Sequence, residues 1–158
     1  MHRSSVSRRH LATRRSVESG LDVVVEFAIL NATRLGAAGE HIAAAGLILE
    51  GWSPSIINAD GFDIIAVRES ATIRVQVKST SKSFLPNQYQ WSCSASKPKR
   101  PLTIADCDVV AFTALDIRRT VFVPIARVCE QITFKLPIAR LHEPDIEHSS
   151  LTAVTFSF

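Results

Sequence analysis

The spacing of apolar positions changes once along this chain, near Gly51. Upstream, "LGAAGEHIAAAGLILEG" (35–51) has the spacing of a helix. Ala38, Ile42, Ala45 and Leu49 recur at intervals of four, three and four, which predicts one buried stripe, and Gly51 supplies the stop. The other side of that helix, with Ala43, Ala44 and Leu47, is scarcely more polar, so the helix is expected to be buried on most of its circumference. Downstream the period falls to two. "SIIN", "FDIIAVR", "TIRVQVKS" and "QYQWSCS" read as strands, "CDVVAFTAL" and "TVFVPI" as two more, and "IARVCEQI" as a short helix. "KPKRP" breaks the pattern as an exposed loop, and "LHEPDIEHSS" is a polar connection before a last apolar patch, "LTAVTFSF". "LDVVVEFAILNATRLG" fits a lead-in helix or a strand equally well. One leading helix, then strands in a row, then more helical material predicts an α/β or α+β sheet layered with helices.

A few polar residues stand where this pattern asks for core. In the second strand Asp63 lies on an apolar run; in the third, Arg74, Gln76 and Lys78 share one face while Ile73, Val75 and Val77 take the other. A two-residue hairpin loop at Glu69 and Ser70 would set Arg68 opposite Ala71 and Asp63 opposite Gln76, with Lys78 diagonal to Asp63. On the helix, Glu40 shares its face with Gly36, Ala43, Ala44 and Leu47, surroundings in which an unpaired carboxylate is costly. Each feature alone also fits an ordinary role. Glu40 and His41 would then face solvent, Asp63 would end a turn, and Gln76 and Lys78 would line a wet sheet face.

Composition narrows the classes. At 158 residues and 46% hydrophobic, the chain is long enough for one domain with its own core. No apolar run approaches the ~20 residues of a membrane span. Three widely spaced cysteines, Cys93, Cys107 and Cys129, fit a reduced, cytoplasmic setting and buried packing rather than a disulfide framework or a zinc site. The histidines show no metal spacing, and no Gly-rich phosphate loop follows a strand, so no small-molecule cofactor is expected.

The net charge of +3 is unevenly spread. Residues 1–30 are expected to form a basic, flexible extension, with Arg3, Arg8, Arg9, Arg14 and Arg15 near its start; its composition also fits a transit peptide or a start placed too far upstream. Residues 31–158 are expected to form the domain. Within it, residues 68–100 carry Arg68, Arg74, Lys78, Lys82, Lys97, Lys99 and Arg100 against Glu69 alone. Such a basic surface on a near-neutral body fits a polyanionic partner, or a solvated charge cluster.

Taken together, Asp63, an amide oxygen at Gln76 and an exposed backbone carbonyl at Val77 are hard oxygen donors of the kind Mg²⁺ selects. A lysine beside them suits charge on a phosphate. At this point "GEHIAAAGLILEGW", "DGFDIIAV" and "IRVQVKST", in that order, resemble the PD-(D/E)XK endonuclease superfamily. The nearest resemblance is to its group I intron homing endonucleases and the relatives of archaeal Holliday-junction resolvases, over roughly residues 31–128. The resemblance implies a restriction-endonuclease-like α/β fold, a mixed central sheet flanked by helices. It also implies a metal-dependent DNA endonuclease that uses Mg²⁺, with Mn²⁺ as a substitute, and acts as a homodimer or a dimer of dimers.

By the same resemblance Glu40 supports metal or water, Asp63 is the principal metal ligand, and Gln76 and the Val77 carbonyl complete the ligand set. Lys78 is the catalytic lysine. Arg68, Arg74, Ser79, Thr80, Lys82, Lys97, Lys99 and Arg100 are the expected DNA contacts. The departure from the pattern is Gln76, where the family usually has Glu or Asp. An amide brings no charge, which weakens metal binding and leaves open a degenerate DNA-binding module; Asp60 would supply the missing charge only if the strand began with a bulge.

Overall fold

The computed structural model describes residues 32–95 and 99–141. The sequence opens into helix α1 (Ala32–Leu49), then strands β1 (Ser53–Ala59), β2 (Phe62–Arg68) and β3 (Ala71–Thr80). Next come β4 (Gln88–Ser92) and two short pieces, β5 (Ser94–Ala95) and β6 (Arg100–Pro101). The described chain ends with β7 (Val109–Ala114), β8 (Arg119–Pro124), the one-turn helix α2 (Ile125–Val128), β9 (Thr133–Pro137) and a second one-turn helix, α3 (Ile138–Leu141). Five strands form one sheet in the order β1-β2-β3-β7-β8. Only β3 and β7 run parallel; the other pairs are antiparallel, so the sheet is mixed.

The alternation along the strands divides the core into two layers. Ile64, Ala66, Ile73, Val75, Val77, Val109 and Ala111 face α1 and meet Ala43 and Leu47. Val110, Phe112 and Ala114 face the other way. That second face is covered by the antiparallel pair β4·β9 together with the one-turn helices, not by a long helix among the described residues. Phe112 stacks on Phe134 with ring centroids 4.2 Å apart, and the Trp91 indole N–H donates to the Thr113 carbonyl at 3.0 Å. Trp91 is therefore a packing residue. Cys93 and Cys107 are buried in the same layer. Strand β9 is an element the hydrophobic pattern did not predict.

The helix buries a different stripe from the predicted one. Gly39, Ala43 and Leu47 are its buried residues, whereas Ala38 and Ala45 are exposed and Leu49 is 87% exposed. The reason is size. At Gly39 an added Cβ would lie 1.7 Å from Ser79 Oγ, so only glycine lets α1 approach β3 this closely. The helix is seated by its smallest residues, which places Glu40 at the edge of the seam rather than in open solvent.

No helix among the described residues is long and apolar enough to cross a membrane. The predicted N-terminal extension (1–30), Lys97, "HEPDIEHSS" and "LTAVTFSF" lie outside the described residues.

Candidate active site

The hairpin between β2 and β3 has the predicted register. Arg68 pairs with Ala71 across Glu69 and Ser70, and the ladder runs to Ile64 opposite Val75. Glu69 takes φ 55°, the left-handed conformation that closes so tight a turn. Beyond Val75 the ladder stops, because a side chain replaces the neighbouring strand. The Val77 N–H donates to Asp63 Oδ2 at 2.7 Å, and β3 continues to Thr80 paired only with β7. The sheet forks here. The fork leaves the β2-side edge of β3 open from Gln76 onward.

A cleft of about 240 Å³ occupies this fork, lined by Ala32, Leu35, Gly36, Glu40, Asp63, Gln76, Val77, Lys78 and Ser79. Gln76 Nε2 donates to Asp63 Oδ2 and, at 3.3 Å, to the Val77 carbonyl oxygen. One N–H₂ group thus bridges a carboxylate and a backbone carbonyl, two hard oxygens directed at a common point. A half-turn of the Gln76 amide replaces that nitrogen with Oε1, and the donor set becomes carboxylate, carbonyl and amide oxygen. These residues fit a small divalent cation by donor chemistry, with Asp63 as the one full charge. Among the described residues no group of three or more His, Cys, Asp or Glu side chains gathers, in the fork or elsewhere.

Glu40 reaches the cleft from α1. Asn58, with its amide turned toward the helix, donates to both Glu40 oxygens at 3.2 and 3.3 Å. Asn58 has φ 49° and sits in an irregularity where the β1–β2 register shifts between Ile56 and Ala59. Bulges of this kind re-aim a side chain. Asn58 was not singled out in the sequence, because a strand-end Asn before "ADG" reads as turn chemistry. Asp60 lies exposed in the β1–β2 turn.

Lys78 lies across the cleft, and its ammonium donates to the Ser94 carbonyl at 2.7 Å. Burial pulls the Lys78 pKa below its ordinary value, against the opposing pull of Asp63. Burial likewise raises Asp63, opposed by the Val77 N–H and Lys78. Glu40 is raised by burial and then by the charge of Asp63. All three shifts have burial as their largest cause, which disfavours each charged form.

The sign of the linkage at Asp63 follows. A carboxyl with a raised folded pKa contributes stability at low pH that is lost as pH rises through the folded value. Asp63→Asn keeps an oxygen for Val77 N–H and removes the buried charge. The variant is expected to melt higher than wild type at pH 7 and to lose that advantage below about pH 3.9, where the unfolded carboxyl is also protonated. Thermal melts of both proteins across pH check this; equal melting temperatures at pH 7 would contradict it.

The remaining cations have other surroundings. The Arg74 guanidinium forks onto Asp108 (Nη2 to Oδ1 2.9 Å, Nε to Oδ2 3.2 Å) and bonds the Ala105 and Ile104 carbonyls. Arg100 forks onto Asp106, holding that carboxyl well below the usual carboxylate range. Arg68 lies over the Trp52 ring, 4.5 Å from its centroid, and reaches the Glu50 carbonyl. These three arginines anchor strand ends. Ser79 Oγ is buried under Gly39 without a hydrogen-bond partner, and Thr80 Oγ1 donates to the Lys82 carbonyl at 3.1 Å. Lys82 and Lys99 are exposed.

The five-stranded mixed sheet with α1 on one face is a mixed α/β fold. It is similar to the solved structure of a bacterial homing endonuclease, I-Ssp6803I. The two superpose with a TM-score of 0.55 at 18% sequence identity, over 66% of this chain and 74% of that one. No protein-family model matches the chain, and no curated protein matches it in sequence.

Proposed function

We propose that the protein is a metal-dependent DNA endonuclease of the PD-(D/E)XK type, with Glu40, Asp63, Gln76 and Lys78 as its site. The observation that supports this most is the fork itself. Asp63 terminates the β2–β3 ladder and meets the Val77 carbonyl and the Gln76 amide at one point, with Lys78 in the same cleft. Asp63, Gln76 and the Val77 carbonyl would hold the ion, Mg²⁺ or Mn²⁺, which supplies polarisation of the phosphoryl oxygen and a more acidic water. Glu40, its pKa raised, is suited to accept a proton from water on the helix side. The Lys78 ammonium faces the charge that develops on the phosphate. Lys82 and Lys99 contact the phosphate backbone, and two such sites in a homodimer cut both strands.

Manganese binding tests the ligand set. Mn²⁺ titrated into the wild type and followed by its EPR signal is expected to bind, and Asp63→Ala is expected to lose that binding. Gln76→Glu adds the missing charge and should tighten binding on the order of 10-fold or more. A wild type that leaves Mn²⁺ free, with DNA present, would contradict the proposal.

A further inference from the structure

Strand β3 runs on from Lys78 into a loop, 81–87, whose tip exposes two adjacent apolar side chains, Phe84 at 61% and Leu85 at 51%. Single exposed apolar residues are ordinary on protein surfaces. This pair differs in how firmly it is held and in what surrounds it. The amides of Phe84 and Leu85 both donate to the Gln88 carbonyl, at 2.9 and 3.2 Å, and the Gln88 amide returns to the Leu85 carbonyl at 3.1 Å. Pro86 fixes its own φ. The Asn87 carbonyl accepts the Ile138 amide at 3.0 Å, which pins the loop to α3. One stem is the strand that carries Lys78; the other returns through β4 to Ser94, whose carbonyl holds the Lys78 ammonium. The apolar tip is thus rigidly coupled to the candidate catalytic lysine.

Its charge environment selects the partner. No acidic residue occurs between Glu69 and Asp106 in the sequence, and Lys82 is exposed on the approach to the tip. Asp116, beyond β7, is tied to the Tyr89 hydroxyl at 2.7 Å. A rigid apolar point on an acid-free, cationic stem fits a base step flanked by phosphates. Apolar side chains of this kind enter the stack and kink the duplex.

We infer that Phe84 and Leu85 form a wedge that inserts between stacked base pairs of duplex DNA and presents the adjoining phosphate to the Lys78 cleft. The inference rests on the nuclease reading and names how that site engages its substrate. Because an apolar wedge reads no hydrogen-bond pattern, an ordinary closed-circular plasmid serves as the probe.

The experiment relaxes that plasmid with a metal-independent topoisomerase in EDTA, with the protein bound, and then reads the linking number. Wild type is expected to lower it. Phe84→Ser/Leu85→Ser is expected to shift the plasmid in a gel yet leave the linking number unchanged. Phe84→Leu, which keeps an apolar tip, should still unwind. Lys82→Ala should bind more weakly with a smaller salt slope but unwind equally per bound protein. Plasmid binding without a change in linking number, or equal unwinding by the double serine variant, overturns the wedge and leaves DNA binding standing. No binding of the plasmid by the wild type overturns both.

Discussion

Lys78→Ala is expected to slow phosphodiester cleavage by at least about 100-fold while leaving DNA affinity within a few-fold of wild type. The argument starts from position. Lys78 emerges on the Gln76 face of β3, where the sheet has forked, and its ammonium is fixed by a single carbonyl, that of Ser94, at 2.7 Å. Burial makes its charged form costly, so an anionic partner in the fork would stabilise the ammonium. A phosphate in the fork is such a partner. Affinity, under the proposed function, comes from exposed cations such as Lys82 and Lys99, and losing one buried charge changes it little. Lys78→Arg should not restore cleavage, since a five-donor planar fork does not match a pocket built around one carbonyl. Single-turnover cleavage beside a salt-titrated gel shift measures both effects. Undiminished cleavage by Lys78→Ala would remove the residue from the mechanism.

Gly39→Ala is expected to destabilise the fold by roughly 1–3 kcal/mol, although alanine is the better helix former by about 1 kcal/mol. The added Cβ would meet Ser79 Oγ at 1.7 Å and Ser79 Cβ at 2.9 Å, with Val77 Cγ1 at 3.6 Å. The hydroxyl is able to rotate away; the Ser79 Cβ moves only with the strand. The helix must lift, and Glu40, the next residue, lifts with it. Cleavage should therefore fall along with stability. Ser79→Gly should recover most of the loss in the double variant, because the two positions share one contact. Denaturant midpoints of the four proteins test this. A Gly39→Ala variant as stable as the wild type would show that α1 does not seat on β3 through these residues.

Close approach also explains what could be read in advance. The β2–β3 register was legible because a two-residue turn and a strict period of two leave one pairing that keeps Ile64, Ala66, Ile73 and Val75 together inside. The face of α1 was not legible. With apolar residues all round, periodicity alone favoured Ala38, Ile42, Ala45 and Leu49, whereas the fold uses Gly39, Ala43 and Leu47. Hydrophobicity does not encode which residues are small enough to touch a sheet.

The ion pairs of two arginines were not legible for another reason. Arg74 and Arg100 read as a basic surface in the linear sequence, but the chain returns Asp108 and Asp106 to them. A local charge count does not see Asp108, 34 positions from Arg74, and a count that stops at Arg100 misses Asp106 six positions on. Asn58 escaped notice because only the bulge in β1 turns it toward Glu40.

The most direct measurement is nicking of supercoiled plasmid by the purified wild type in Mg²⁺ and in Mn²⁺, beside Asp63→Ala, Lys78→Ala and an EDTA control. The expected result is open-circular and linear product from the wild type with either ion, with both variants and the EDTA lane intact. Cleavage that persists in Asp63→Ala or in EDTA, or plasmid left intact by the wild type with both ions, would contradict a metal-dependent nuclease site in the β2–β3 fork.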